Sequence, residues 1–173
     1  MKTILAAVNA KYIHSNLAVY SLRAYAKDYL SETKIAEYTI NQQIDEILMD
    51  LYREQPELLC FSCYIWNIQM IRMLLPEIRK VLPETEIWLG GPEVSFDCGE
   101  ILRTMPQVKG IMRGEGEETF ASLAQLYEET KMAPSDLQLS AINGISFRGE
   151  DGEIIETPDR EPLALDRIPF YYK

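Results

Sequence analysis

Short apolar runs alternate with segments of helical spacing along the first 130 residues. The runs cover residues 4–8, 34–39, 58–62, 86–89 and 108–112. Runs of this length, bounded by polar or turn residues, are typical of buried strands. Between and after them, the spacing predicts helices over residues 14–30, 44–53, 67–82, 97–105 and 117–129. The chain therefore alternates strand and helix five times.

This alternation predicts an α/β fold in which a parallel sheet is covered by helices on both faces. Five strands in about 130 residues fit a flavodoxin-like (Rossmann-like) doubly wound domain better than a barrel. In the strand order of that fold, the first strand is the natural point at which the winding reverses. We therefore expect a ligand over the carboxyl ends of the first, third, fourth and fifth strands.

The last forty residues have a different pattern. Residues 131–139 are predicted to form a loop, and apolar segments at 144–148 and 154–157 flank the turn Glu150-Asp151-Gly152, which predicts a β-hairpin. A segment rich in proline follows and ends in three aromatic residues, which favour packing against further protein. We expect a binding domain over 1–133, a hairpin and linker over 134–173, and a longer parent protein.

Charge and composition exclude several function classes. The net charge is −10 and the pI about 4.6, so binding of a nucleic-acid backbone by this segment is disfavoured. No apolar run is long enough to cross a membrane, and the first residues lack a cleavable signal pattern. Three cysteines, an odd number, argue against a disulfide framework and favour a reducing, cytoplasmic location.

Two of these cysteines, Cys60 and Cys63, form a C-x-x-C string that is also found at redox and zinc sites. The string lies within a predicted strand and its end. Residues three apart on a strand point to opposite faces of the sheet. We therefore do not expect the two thiols to meet at one metal.

Two glycine turns directly follow the fourth and fifth strands. They are Gly90-Gly91-Pro92-Glu93 and Gly114-Glu115-Gly116-Glu117. Glycine allows the backbone to approach a ligand closely, so both turns are candidate rims of a binding site. The second turn is a truncated dinucleotide fingerprint, but its two glutamates disfavour a phosphate. The turns predict a site for something other than a pyrophosphate.

Other candidates lie at the ends of the first and third strands. The loop after the first strand contains the only histidine, His14, which could ligate a metal or cap a helix, and Lys11, which could balance an anionic ligand or be solvated. Ser62 could bind a ligand or cap the next helix. Tyr64 and Trp66 could stack on a planar ligand or anchor their loop.

Together, Ser62, the two glycine turns and the closing segment Leu165-Asp166-Arg167-Ile168-Pro169-Phe170 resemble the cobalamin-binding domain of cobalamin-dependent radical SAM proteins over nearly the whole chain. The resemblance implies that cobalamin lies at the carboxyl edge, with its nucleotide tail beside the first strand. Ser62 would face the tail, and Gly90 and Gly91 would make room for it. The full set of implied cofactor-binding residues is Ala10, Lys11, Tyr12, Ile13, His14, Ser15, Ser62, Tyr64, Gly90, Gly91, Pro92, Glu93, Gly114, Glu115 and Gly116.

The resemblance also implies a radical SAM core beyond the linker, with an iron–sulfur cluster and S-adenosylmethionine. The cysteine triplet of that core is not in this sequence, so the segment is not expected to be catalytic alone. Many cobalamin domains carry Asp-x-His-x-x-Gly after the first strand, but here Tyr12 and Leu17 replace the Asp and the Gly. Since His14 lacks its orienting carboxylate, we expect Tyr12 or a neighbouring side chain to occupy the lower face and leave cobalt without a protein ligand, as in methyl-transferring members of the family. Ligation by His14 is the alternative.

Two other functions are compatible with the same fold. One is a structural or partner-binding domain that has lost the cofactor. The altered histidine motif favours it, as does the acidic second half, since residues 87–173 contain eight Lys or Arg against sixteen Asp or Glu. The other is a flavin or nucleotide binder.

Overall fold

One seven-stranded sheet runs through the described part of the chain, which comprises residues 1–10, 15–30 and 32–164 of a computed structural model. Its strands are β1 (Lys2–Asn9), β2 (Glu32–Thr39), β3 (Leu58–Ser62), β4 (Glu86–Gly90), β5 (Gly110–Met112), β6 (Ile145–Arg148) and β7 (Ile154–Glu156). The order across the sheet is β2-β1-β3-β4-β5-β6-β7. The first five strands are parallel, in the order of a flavodoxin-like fold, so the predicted fold class is confirmed.

The predicted sheet size of five strands is wrong. The hairpin of β6 and β7 does not stand apart but pairs with β5, with β6 antiparallel to it. An edge strand presents unpaired backbone N–H and C=O groups, and the hairpin supplies partners for those of β5. The sheet therefore has five parallel strands and two antiparallel ones.

Six helices accompany the sheet in the described ranges. They are α1 (Leu17–Ala26), α2 (Ile44–Glu54), α3 (Ile68–Val81), α4 (Cys98–Thr104), α5 (Glu117–Glu129) and α6 (Asp136–Ser140). The helix α6 corrects the loop predicted over 131–139. Ser135 caps it through a reciprocal pair of hydrogen bonds with Gln138, a capping box that stabilises even a short helix.

The helices divide between the two faces of the sheet. On one face, α2, α3 and α4 bury residues such as Ile47, Leu74 and Leu102, and on the other, α1, α5 and α6 bury residues such as Val19 and Phe120. β1 is buried along its centre and contributes alternate residues to the two cores, as expected for a central strand. Within the described ranges, no helix combines the length and apolarity needed to cross a bilayer.

Candidate functional site

The carboxyl ends of four strands form one row across the sheet. Ser62 at the end of β3 lies opposite Ala7 of β1 and Gly90 of β4, and Gly90 in turn lies opposite Met112 of β5. After β1 the chain enters α1 on one face, and after β3 it enters α3 on the other. The winding therefore reverses between β1 and β3, where open α/β sheets bind ligands.

A cavity of about 460 Å³ opens at this point, between the row of strand ends, α1 and the start of α5. It extends down the sheet to Leu5 and Cys60, two residues below the edge, which corresponds to roughly 7 Å. Eight of the predicted residues line it: Ser62, Tyr64, Gly90, Gly91, Pro92, Gly114, Glu115 and Gly116. Most of the rest of the wall, including Val19, Leu22 and Met112, is apolar and was not predicted.

The remaining predicted residues lie elsewhere. Ala10 and Ser15 line a second cavity of about 490 Å³, which shares Ala18 and Tyr64 with the first. Glu93 is exposed and lines neither cavity, and its backbone N–H donates to the carbonyl of Cys63. Lys11, Tyr12, Ile13 and His14 lie outside the described residues.

The two adjacent glycines of the first turn have different roles. Gly91 has φ +108°, and a Cβ on it would lie 2.4 Å from the carbonyl oxygen of Cys63, so it is glycine because the protein itself leaves no room. A Cβ on Gly90 would meet nothing closer than Met112 at 3.7 Å, which is ordinary contact. Since Gly90 lines the cavity, a larger side chain there would occupy the space that its missing side chain leaves open.

Both glutamates at the mouth of the cavity are engaged by the protein. Glu117 accepts a hydrogen bond from the Ser21 hydroxyl at 2.7 Å, and Glu115 accepts one from the backbone N–H of Leu163 at 2.7 Å. Among the described residues that line this cavity, none is basic. The mouth therefore favours a neutral or positively charged group over a pyrophosphate, in agreement with the sequence.

The aromatic residues after β3 stack on each other. The rings of Tyr64 and Trp66 are 4.5 Å apart between centroids and nearly parallel, at 6°. The indole N–H of Trp66 donates to the backbone carbonyl of Val8 at 3.3 Å, which ties the loop to the end of β1. Of the two alternatives, anchoring describes Trp66, while Tyr64 lies in the wall of the cavity.

Asn67, which sequence reasoning missed, fixes the ends of β1 and β3. It is 0% exposed, and its side-chain amide donates to the carbonyls of Val8 and Ser62 while accepting from the N–H of Tyr64. All three bonds, at 2.8 to 3.0 Å, satisfy backbone groups where two strands end. An asparagine just before an apolar helix signals a cap, but its contact with β1 is visible only in three dimensions.

The C-x-x-C string is divided by the sheet, as predicted. Cys60 belongs to the core under α1 and α5, and Cys63 to the core under α2 and α3. Burial raises the pKa of Cys63 to about 12 and also raises that of Cys60. Both thiols are therefore protonated at neutral pH and are poor nucleophiles.

We accordingly expect slow reaction of the native protein with Ellman's reagent at pH 8. The three cysteines, Cys60, Cys63 and Cys98, are all free and buried. Less than one thiol per chain should be titrated before unfolding, and all three should react within minutes in guanidinium chloride. Fast labelling of one thiol in the folded protein would contradict the burial described here.

These features define a class: a doubly wound α/β domain with an apolar cavity at its switch point. Residues 3–124 match the model of the B12 binding domain family. The chain belongs to this family and is a cobalamin-binding domain.

Known relatives agree with this assignment. The chain is 26% identical over 155 residues to the anaerobic magnesium-protoporphyrin IX monomethyl ester cyclase of Rubrivivax gelatinosus, covering 84% of this chain and 27% of the relative. It is 26% identical over 113 residues to the cobalamin-dependent radical SAM methyltransferase TokK of Streptomyces tokunonensis, covering 65% of this chain and 16% of that enzyme. The chain thus spans about a quarter or less of the length of these relatives.

A solved structure shows the same fold over almost the whole chain. It is that of the cobalamin-dependent S-adenosylmethionine radical enzyme OxsB with aqua-cobalamin and S-adenosylmethionine bound. The TM-score is 0.77 at 21% identity, with 98% of this chain and 24% of OxsB covered.

Proposed function

We propose that this chain is the cobalamin-binding module of a larger radical SAM enzyme that transfers a methyl group. The observation that carries the proposal is the cavity at the switch point of a B12 binding domain, with a serine at its edge and a glycine in its wall. The names of TokK and of a carbapenam-carboxylate methyltransferase of Streptantibioticus cattleyicolor support methyl transfer.

The residues present fit part of a cobalamin. A cavity of about 460 Å³ is large enough for a drug-sized group, but a whole corrinoid is larger, so only one portion of the cofactor lies inside. The wall is mainly apolar, and Gly90 leaves space where any side chain would project. We assign the nucleotide tail to this cavity and the corrin ring to its mouth.

Each chain segment then has a part in holding the cofactor. Ser62 donates a hydrogen bond to the tail, Gly90 makes room for it, and residues 114–116 border the ring. Residues 10–15 are also assigned to cofactor binding, and for residues 11–14 this assignment rests on the sequence alone. When bound, cobalamin supplies a redox-active cobalt centre for group transfer.

The linker contacts the proposed site before it leaves the domain. In addition to the bond between Leu163 and Glu115, Arg160 pairs with Glu118 at 3.3 Å and donates to the Thr119 hydroxyl. We infer that residues 1–133 form the cofactor domain and 134–173 the hairpin and linker to a radical SAM core, which would bind S-adenosylmethionine and an iron–sulfur cluster. This chain matches only 27% and 16% of the length of the two relatives named above, and that supports the inference of a further domain. We propose a reducing, cytoplasmic location, which the free thiols support.

Mixing the protein with hydroxocobalamin tests the proposal. At tens of micromolar, we expect the corrinoid to co-elute with the chain on gel filtration and its visible absorbance to change. Clean separation of the two would contradict cofactor binding and favour a structural domain. A yellow flavin retained through purification would instead indicate a flavin binder.

The visible spectrum also tests the role of His14. We expect His14→Ala to leave the spectrum of the bound corrinoid unchanged, because the residue lacks the carboxylate that orients such a ligand in related motifs. Conversion of the variant's spectrum to a form without a lower nitrogen ligand would place His14 on cobalt instead.

A further inference from the structure

Asn16, the residue that caps α1, connects two sides of the site. Its side-chain oxygen accepts from the N–H of Ala18 at 3.1 Å, and its side-chain nitrogen donates to the Ser62 hydroxyl oxygen at 3.2 Å. Because an N–H already occupies the oxygen, the orientation of the amide is set, and only its NH₂ group can face Ser62. Ser62 is therefore the acceptor in this pair.

The Ser62 hydroxyl still has a proton to donate. A hydroxyl carries one donor and two acceptor positions, and Asn16 uses only an acceptor position. Ser62 is 8% exposed and lines the cavity, and among the described residues none accepts a hydrogen bond from it. A buried donor without a partner is costly, so the proton is available to an acceptor in the cavity.

Glu37 on β2 holds Asn16 from the opposite side. One carboxylate oxygen accepts from the backbone N–H of Asn16 at 3.0 Å and from the Asn9 side chain at 3.1 Å, while the other accepts from the Tyr20 hydroxyl at 2.7 Å. These donors come from the end of β1, the cap of α1 and its first turns. Glu37 thus ties the end of β1 to the start of α1.

The charge of Glu37 is well matched to this role. Partial burial raises the pKa of its carboxyl, but hydrogen bonds from Tyr20, Asn16, Asn9 and Ser15 outweigh burial and leave the pKa below its ordinary value. The group is therefore ionised at neutral pH and accepts from these donors as a carboxylate. A charged acceptor makes stronger hydrogen bonds than a neutral one.

We propose that Asn16, held by Glu37, is a positioning residue that makes the Ser62 hydroxyl a donor into the cavity, so that the site selects corrinoids with an acceptor at this point. The inference rests on the proposed function, since it takes the occupant to be the nucleotide tail. It adds a determinant of specificity: a corrinoid that lacks the tail cannot use this donor.

Affinities for hydroxocobalamin and for cobinamide, which lacks the nucleotide tail, test the proposal. Asn16→Asp retains the cap oxygen for Ala18 but removes the NH₂ group, so the new carboxylate accepts the Ser62 proton and withdraws it from the ligand. We expect cobalamin affinity to fall by about tenfold, the value of one hydrogen bond, with cobinamide affinity unchanged. Ser62→Ala should show the same loss.

Three further variants keep the test decisive. Ser135→Ala removes the cap of the distant helix α6 and should lower stability without changing the ratio of the two affinities. Glu37→Gln, which loses one acceptor oxygen, should reduce the ratio by a smaller factor and serves if Asn16→Asp does not fold. The double variant of Asn16→Asp and Ser62→Ala should bind cobalamin as Ser62→Ala does.

The outcomes separate this inference from the proposed function. If the unaltered chain binds neither corrinoid, the proposed function fails and the inference with it. If it binds cobalamin but Asn16→Asp keeps the same preference over cobinamide, only the inference is overturned. Additive losses in the double variant, or equal binding of both corrinoids by the unaltered chain, would also overturn it.

Discussion

Gly91→Ala is expected to destabilise the fold by about 3 kcal/mol or more. At φ +108° any L side chain is strained, and the added Cβ would lie 2.4 Å from the Cys63 carbonyl oxygen and 3.0 Å from its nitrogen. Both clashing atoms are backbone, so no flexible side chain can move aside. Urea unfolding followed by circular dichroism measures the loss.

Gly152→Ala is the matched control. Gly152 also has a positive φ, +86°, but a Cβ there would meet nothing within 4 Å. Only the backbone preference is then lost, at about 1 kcal/mol. Equal destabilisation by the two substitutions would show that steric overlap with Cys63 does not determine the residue at 91.

Gly90→Leu should weaken cobalamin binding by roughly a hundredfold or more, since the new side chain fills the space assigned to the cofactor. The fold should survive, because a Cβ at 90 makes only ordinary contact with Met112. Equilibrium dialysis with hydroxocobalamin measures the affinity, and thermal unfolding without the corrinoid measures stability. Gly90→Ala, with a single added carbon, should lie between Gly90→Leu and the unaltered chain.

The two glycine substitutions are thus expected to affect different properties, stability and binding. Gly91→Ala should reduce stability with or without the corrinoid, whereas Gly90→Leu should reduce binding in a protein that remains folded. If Gly90→Leu still binds cobalamin, the assignment of the nucleotide tail to this cavity is wrong.

Periodicity identified the five parallel strands. Four of them, β1, β3, β4 and β5, lie inside the sheet and are short, mostly apolar runs, while β2 lies at the edge and alternates apolar with polar residues. The same reasoning did not place the hairpin on the edge of β5. Its pairing depends on which backbone groups are left free after the parallel strands assemble, and no local pattern reports that. The helix α6 does carry a local signal, the capping box of Ser135 and Gln138, which distinguishes it from the loop predicted there.

For the site, the glycines of the turns indicated where a ligand could approach the backbone, but not what each glycine does. The sequence marks Gly90 and Gly91 as a pair, yet one leaves room in the cavity and the other avoids the backbone of Cys63. Likewise Glu37 lies on a strand with no motif around it, and its donors include residues 9, 16 and 20. Such contacts join segments that are far apart in the chain, or lie on different elements.

The sequence by itself determined the winding of the chain and the edge of the sheet at which the candidate site lies. These follow from the alternation of strand and helix, because parallel strands bring their carboxyl ends together wherever they fold. Only the tertiary structure decided the depth of the cavity, the distinct roles of adjacent glycines and the orientation of the Ser62 hydroxyl. Those depend on distances of a few ångströms between separate elements, which close packing sets and residue order does not encode locally.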